Sequence, residues 1–167
     1  MQRILATVGP EMHAPMLVVQ HRGRDGDDAL VELLQWSTPL PVSEPDDKEP
    51  LEPGHVYVAP ADYHLQVEGE AVSLSVDAPV VYARPSIDAL FESAARWFGP
   101  RAVGVVLTGA SRDGARGLAA IKARGGRAIV QDPETAECAV MIRAAMAACR
   151  VDEVLSLEEI GQYLARL

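Results

Sequence analysis

The stretch at residues 102–117, AVGVVLTGASRDGARG, most strongly limits how this chain can fold. Its first part, residues 103–107, is a short apolar run rich in β-branched residues, which is typical of a strand buried on both faces of a parallel sheet. Thr108 and Gly109 end the run, and the residues from Asp113 onward favour a helix. Open α/β sheets bind their ligands beyond the carboxyl ends of their strands. The stretch therefore predicts an α/β fold with Asp113 at an edge suited to chemistry.

Asp113 has two simpler interpretations that need no catalysis. On spacing alone it is favoured as the N-cap of the helix that follows it, because aspartate commonly accepts hydrogen bonds from the first free N–H groups of a helix. A phosphate-binding loop is the second, since Gly109 and Gly114 have the spacing of the two P-loop glycines. Ala115 and Arg116 stand where that motif needs Lys and then Ser or Thr, so the nucleotide-binding interpretation is excluded.

Strands and helices alternate through most of the chain. Strands are predicted at residues 16–21, 40–42, 55–59, 65–68, 71–76, 103–107, 127–131 and 152–155. Helices are predicted at residues 1–8, 28–36, 87–98 after a Ser86 cap, 114–124, within 134–149, and 157–165, with a polar turn at 23–28. Two strands joined at Gly69 predict a β-hairpin. We therefore expect one domain, residues 1–167, with a three-layer α/β/α fold and a doubly wound, mostly parallel sheet carrying an inserted hairpin.

The amino-acid composition of the chain limits the kinds of partner that it is expected to bind. The 167 residues carry a net charge of −9 and are 49% hydrophobic, which describes a compact domain with a substantial core. The acidic balance argues against nucleic acid as a partner, and no apolar run approaches a membrane span or a signal peptide. We expect a cytoplasmic protein with no membrane insertion. No cofactor or metal is predicted, because His13, His55 and His64 lack the short spacings of a zinc site.

His21 is the second polar group that follows a predicted strand. A His and a distant Asp suit a charge-oriented imidazole, in which the carboxylate holds the tautomer and stabilises the imidazolium during acyl transfer. The alternative is a packed or capping histidine with no catalytic role. Residue types alone leave both interpretations of His21 open.

Five segments of the chain resemble the CheB-type protein-glutamate methylesterases of bacterial chemotaxis and related sensory systems. They are APMLVVQH ending at His21, LEPGHVYVAPADYHL in the middle, RPSIDALFESAA, VVLTGASRDGARGLAAIKARGG around Asp113, and AIVQDPETAE. The resemblance implies a serine esterase with a Ser-His-Asp triad on a doubly wound α/β sheet. By the same resemblance, the expected substrates are methyl-esterified glutamates of chemoreceptors and often also glutamine amides. By resemblance, His21 is the general base and Asp113 its orienting carboxylate.

The resemblance also shows departures from the family pattern. The family nucleophile lies on a Gly-Ala-Ser-Thr/Ala-Gly-Gly turn after a first strand, and this sequence contains neither that strand nor that serine. Ser111 is the alternative nucleophile within the chain, since helix N–H groups nearby could support an oxyanion. The turn at Gly109 and Ala110 is a candidate oxyanion or substrate-site turn, although Ala110 stands where the family commonly has Met.

Two functions of different classes follow. The first is a protein-glutamate methylesterase, also active on glutamine, that acts on methyl-accepting chemotaxis-type receptors and is represented by a chain shortened at its start. The second is a catalytically inactive CheB-like interaction domain that binds a receptor or another signalling protein. No receiver domain is present in this sequence. A missing central strand would leave unpaired neighbours, so we expect a homo-oligomer or marginal stability.

Overall fold

The structure, a computed structural model, describes residues 1–21 and 29–167. The predicted polar turn at 23–28 lies outside the described residues. Eight strands are described: β1 Met16–Val18, β2 Val42–Ser43, β3 Val56–Val58, β4 His64–Glu68, β5 Ala71–Ser75, β6 Val103–Val106, β7 Arg127–Gln131 and β8 Glu153–Leu155. The α-helices in this part are α1 Gln2–Leu5, α2 Ala29–Gln35, α3 Ile87–Phe98, α4 Ala115–Ala123, α5 Val140–Ala148 and α6 Leu157–Leu164.

The strands form parallel sheets and one antiparallel hairpin, which confirms the predicted α/β class. Strands β1, β3 and β2 lie side by side in that order and run parallel. Strands β6, β7 and β8 form a second parallel sheet, and β4 pairs with β5 as the predicted hairpin. The described strands thus make two three-stranded parallel sheets, where the sequence predicted one mostly parallel sheet.

Some boundaries differ from the sequence prediction. The second strand was predicted at 40–42 but lies at Val42–Ser43. Pro41 has no N–H to donate to a ladder, and its carbonyl oxygen instead accepts a hydrogen bond from Val56 N at 2.9 Å. The predicted region 134–149 contains a short 3₁₀ turn, Pro133–Thr135, and then α5.

The helix ends follow their capping residues. Ser86 accepts a hydrogen bond from Ala89 N and caps α3, as the sequence predicts. Ser156 and Glu159 form the predicted capping box at the start of α6. Both helices present one apolar face to the interior, so their ends and their orientation are fixed by short sequence signals.

The core that supports the site lies between the second sheet, the hairpin and three helices. Its buried members from these elements include Leu65, Val72, Leu90, Phe91, Val106, Leu118, Ile121, Val130 and Ile142. Helices α3 and α4 approach closely at Gly117, where a Cβ atom would lie 2.5 Å from Phe91 Cβ and 3.1 Å from Asp88 Cα. This close approach keeps the first turns of α3 and α4 side by side. None of the helices in the described ranges is long and apolar enough to cross a membrane.

Candidate active site

Two strand ends bring His21 and Asp113 together. His21 lies three residues after the end of β1, and Asp113 lies in the turn between β6 and α4. The distance between His21 Nε2 and Asp113 Oδ2 is 2.7 Å. The His21 side chain is 31% exposed, whereas the Asp113 side chain is fully buried. The two residues selected from sequence therefore form one contact pair with an accessible imidazole.

Asp113 is held by the start of α3. Its Oδ2 accepts a hydrogen bond from Ile87 N at 2.7 Å, and its Oδ1 accepts one from Asp88 N at 2.9 Å. The Ser86 hydroxyl donates to Oδ1 at 2.8 Å. Because the first N–H groups of a helix have no partner within the helix, they are natural donors to a carboxylate. Four groups, including His21, thus fix both oxygens of Asp113.

This geometry corrects the simple capping interpretation of Asp113. The residue does bind a helix N-terminus, but that helix is α3 and not α4, which follows it in sequence. Helix α4 begins after Gly114, which has φ +92° and provides no side-chain cap. A Cβ atom at this glycine would lie 2.7 Å from Ile87 Cγ2. The left-handed turn at Gly114 directs the chain into α4 while Asp113 remains against α3.

The surroundings of Asp113 favour its ionised form. Burial alone would raise the pKa of its carboxyl group, but the hydrogen bonds from His21, from the N–H groups of Asp88 and Ile87, and from Ser86 together lower the pKa below its ordinary value. Asp88 behaves in the opposite way, because burial is the main cause that raises its pKa and the charge of Asp113 adds to it. Asp113 is therefore the carboxylate that carries the negative charge beside the imidazole.

The contact made by Nε2 determines which nitrogen of His21 can act as a base. When Nε2–H donates to the ionised Asp113, Nδ1 keeps its lone pair. Within the described part of the chain, His21 Nδ1 has no hydrogen-bond partner. The arrangement can orient a neutral imidazole and stabilise the imidazolium that forms when Nδ1 takes a proton.

The other predicted site residues lie in the turn after β6. Ser111 Oγ accepts a hydrogen bond from Asp113 N at 3.1 Å. Gly109 N donates to the carbonyl oxygen of Cys138 at 2.9 Å, so this N–H already has a partner. Ala110 is exposed, and its N–H makes no hydrogen bond to the described residues. No serine hydroxyl in the described ranges hydrogen-bonds to His21.

Sequence reasoning missed part of the support for the pair. It predicts Ser86 as a helix cap, but the structure also shows the Ser86 hydroxyl donating to Asp113. The N–H groups of Ile87 and Asp88 were not predicted as partners of Asp113. The available signal was a serine cap that opens a strongly amphipathic helix, and nothing in that pattern says which distant carboxylate meets the helix end.

In the residues that the structure describes, no group of three or more His, Cys, Asp and Glu side chains could hold a metal ion.

The fold and the pair together give an α/β protein with a His–Asp contact at the carboxyl edge of its strands, an arrangement that can orient an imidazole. Comparison with known proteins gives the family. Residues 1–164 match the family model described as CheB methylesterase. The chain belongs to the CheB methylesterase family, which confirms the resemblance seen in the sequence.

Relatives and a solved structure agree with this assignment. A protein of the protein-glutamate methylesterase/protein-glutamine glutaminase type from Leptospira interrogans is 44% identical over 168 residues, covering 100% of this chain and 87% of that protein. Protein-glutamate methylesterase/protein-glutamine glutaminase 2 of Caulobacter vibrioides is 39% identical over 99% of this chain and 49% of its own length. The crystal structure of the Thermotoga maritima CheB methylesterase catalytic domain has a TM-score of 0.92 at 30% identity, covering 99% of this chain and 89% of that one.

Proposed function

We propose that this chain supplies the general base and the orienting carboxylate of a protein-glutamate methylesterase that also acts on glutamine amides, with chemotaxis-type receptors as substrates. The observation that carries the proposal is the 2.7 Å contact between the accessible His21 imidazole and the fully buried Asp113 carboxylate. Membership of the CheB methylesterase family supports this activity. The names of the relatives support glutamate esters and glutamine amides as the substrate class.

In the proposed reaction, His21 Nδ1 takes the proton of a serine hydroxyl as its oxygen attacks the ester carbonyl carbon. The carbonyl oxygen becomes an oxyanion, and the imidazolium is stabilised by Asp113. As the tetrahedral intermediate collapses, His21 returns the proton to the leaving group: the C–O bond of the ester breaks and methanol departs, or the C–N bond of a glutamine amide breaks and ammonia departs. Water activated by His21 hydrolyses the acyl-enzyme and restores the serine.

We propose that the nucleophilic serine comes from a strand outside these 167 residues. Within the described part of the chain, β1 pairs only with β3 and β6 pairs only with β7, so each of these two edge strands has one unpaired side. The contact of His21 with Asp113 brings the carboxyl ends of these two edge strands together. A further strand at these edges would satisfy their free backbone groups and end beside His21.

Ser111 is the competing nucleophile. Its hydroxyl is already an acceptor for Asp113 N, and the structure records no hydrogen bond from it to His21. A reactive serine needs a base within hydrogen-bond reach. This geometry favours a local turn-stabilising role for Ser111.

The test is labelling with a fluorophosphonate serine probe followed by peptide mass spectrometry. The 167-residue chain and a version extended by the natural upstream residues are compared, each with a His21→Ala variant. We expect no adduct on the short chain and one His21-dependent adduct on an upstream serine. A His21-dependent adduct on Ser111 would contradict the upstream assignment but support an esterase of altered design.

The same experiment tests the inactive interaction domain as the second candidate. The observation that favours this candidate is that no serine hydroxyl of the described residues hydrogen-bonds to His21. Absence of any adduct in both chains, together with no methanol release from a Glu methyl-ester peptide, would reject the methylesterase and favour the interaction domain.

A further inference from the structure

A groove lies on the same sheet edge as His21. Its described lining residues are Glu44, Pro45, Asp46, Asp47, Pro60, Tyr63, Leu74 and Val76, and its volume is about 650 Å³. Glu44 directly follows β2, and Pro60 comes two residues after the end of β3. Since β1, β3 and β2 are parallel neighbours, their carboxyl ends share one edge. The groove therefore opens beside the strand end that carries His21.

The lining of the groove combines apolar and acidic surface. Tyr63 and Val76 are 43% and 65% exposed, so their aromatic and aliphatic surfaces are accessible in the groove. Asp46 and Asp47 are exposed on the same groove, and none of the described lining residues is basic. Lys48, which follows Asp47 in sequence, forms an ion pair with Glu68 at 2.6 Å and interacts more weakly with the charge of Asp47. The lining thus presents carboxylates next to an aromatic and aliphatic surface.

Asp47 is also fixed in place. Its Oδ1 accepts a hydrogen bond from Leu74 N at 2.9 Å, which connects the acidic segment to the strand that supplies the apolar lining. This hydrogen bond limits the movement of the Asp47 carboxylate relative to Leu74. Such a preorganised surface loses little side-chain freedom when a ligand binds.

We propose that this groove binds an arginine side chain of the substrate protein, on the same segment as the glutamate that reacts. The proposal rests on the proposed esterase function. Arginine has an apolar stem that can pack on Leu74 and Val76 and a planar guanidinium that can stack on Tyr63. The same guanidinium can donate to the carboxylates of Asp46 and Asp47. The charge of −9 on the whole chain also favours a positively charged partner segment.

Strand spacing sets the distance between the arginine and the ester. Adjacent strands lie about 4.8 Å apart, so the ends of β3 and β2 are about 5 to 10 Å from the end of β1. An extended substrate covers this distance in about two or three residues. A helical substrate covers it in about four to seven residues, at about 1.5 Å per residue.

The experiment uses the full natural chain, including any residues that precede Met1. Peptides with one Glu methyl ester carry either arginine or its neutral isostere citrulline at two, three, four or seven residues from the ester. At the favoured spacing, kcat/KM for the arginine peptide is expected to exceed that for the citrulline peptide about threefold to fivefold, mainly through KM. The preference should weaken at high ionic strength.

Variants locate the effect in the groove. Asp46→Asn and Asp47→Asn should each reduce the ratio of kcat/KM for the arginine peptide to kcat/KM for the citrulline peptide towards one. Neither variant should change the hydrolysis of p-nitrophenyl acetate. Asp77→Asn is the matched control, because Asp77 is an exposed aspartate outside the lining. It should keep the full preference.

Peptide binding, measured by fluorescence anisotropy with unesterified labelled peptides, separates this proposal from the proposed function. Ester hydrolysis with equal rates for arginine and citrulline at every spacing would overturn the groove assignment and leave the esterase intact. Arginine-dependent binding that Asp46→Asn abolishes, without hydrolysis of any ester, would support the groove and reject the esterase. Equal binding of the arginine and citrulline peptides, without hydrolysis of any ester, would reject both the groove assignment and the esterase.

Discussion

Asp113 accepts hydrogen bonds from the N-terminus of the helix that contains Asp88, and Asp88 accepts one from the N-terminus of the helix that follows Asp113. Asp113, which precedes α4, accepts hydrogen bonds from Ile87 N and Asp88 N at the start of α3. Asp88, in the first turn of α3, accepts a hydrogen bond from Gly117 N in the first turn of α4 at 2.7 Å. Because helix N-termini carry partial positive charge, each carboxylate is stabilised by the helix that it joins. These hydrogen bonds hold the Asp113 carboxylate against α3 and link α3 to α4, in addition to the contact of Asp113 with His21.

Replacement of Asp113 by asparagine should mainly reduce catalysis. Asparagine keeps the size of the side chain but removes the charge that stabilises the His21 imidazolium, and it can select the wrong tautomer. We expect kcat for a Glu methyl-ester peptide to fall by about 10²- to 10⁴-fold. The measurement is steady-state kinetics on the full natural chain, together with urea unfolding.

Asp152→Asn is the matched control for this substitution. Asp152 accepts a hydrogen bond from Ala128 N at 2.8 Å and contacts Lys122 at 2.6 Å, at the start of β7 and so at the opposite sheet edge from the turn that carries Asp113. Its variant should lose stability, by up to about 1.5–3 kcal/mol for a charged hydrogen bond, but keep kcat. An equal loss of kcat in both variants would contradict a specific role for Asp113.

Ser86→Ala tests whether the hydroxyl supports the carboxylate. The variant loses a buried donor to Asp113 Oδ1 and the cap of α3, so the free energy of unfolding should fall by about 1–2 kcal/mol. With one donor fewer, the pKa of Asp113 should rise towards its ordinary value. The measurements are urea unfolding and ¹³C NMR titration of the Asp113 carboxyl group.

Ser93→Ala serves as the control in the same helix. The Ser93 hydroxyl donates to Leu90 O at 2.7 Å and accepts from Val67 N at 3.0 Å, but it does not contact Asp113. This variant should be destabilised while the pKa of Asp113 stays unchanged. A shift of the same size in both variants would mean that Ser86 acts only through general stability.

The strand and helix order could be predicted because it depends on local signals. The apolar run at β6, the Ser86 cap of α3 and the capping box of α6 each lie within a few neighbouring residues. The predicted strand ends suggested His21 and Asp113 as one of two open interpretations, and the resemblance to known methylesterases assigned them the roles of base and orienting carboxylate, since no local pattern connects residues 92 positions apart. Their 2.7 Å contact agrees with that pairing, while their catalytic roles remain a prediction.

The hydrogen-bond donors that hold Asp113 could not be predicted either, because they too come from residues distant in sequence. Local spacing assigned this carboxylate to the helix that follows it, because a cap normally lies next to its own helix. The actual partner, α3, is reached through tertiary packing at Gly117 and the turn at Gly114. Neither glycine indicates, from the sequence, which helix N-terminus Asp113 will contact. The division of the parallel strands into two sheets likewise depends on long-range pairing.

Gly117→Ala tests the close contact between the two helices. The added Cβ would lie 2.5 Å from Phe91 Cβ and 3.1 Å from Asp88 backbone atoms, so α3 and α4 must separate. We expect unfolding to become easier by about 1–3 kcal/mol, despite the better helix propensity of alanine. The Asp88 to Gly117 hydrogen bond should also weaken, and faster hydrogen exchange at residue 117 would report this. Unchanged or greater stability in urea would show that the helices can separate at no cost.

The two carboxylates should give opposite pH dependences of stability. Asp113 has a folded-state pKa below its unfolded value of about 3.9, so its ionised form stabilises the fold above that value and the contribution is lost as pH falls through the folded pKa. Asp88 has a raised folded pKa, so its contribution declines as pH rises from about 3.9 through the folded pKa.

Urea unfolding across this acidic range, with ¹³C NMR titration to assign each carboxyl group, measures both effects. Asp113→Asn should remove the part of the low-pH loss that comes from Asp113, and it should leave the parts from Asp152 and Glu159, whose pKa values are also lowered. Asp88→Asn, whose amide oxygen can still accept from Gly117 N, should remove the decline above about pH 3.9 and leave the low-pH loss in place. A pKa of Asp88 lower than the pKa of Asp113 would contradict the assignment, because the hydrogen bonds that favour an ionised group converge on Asp113.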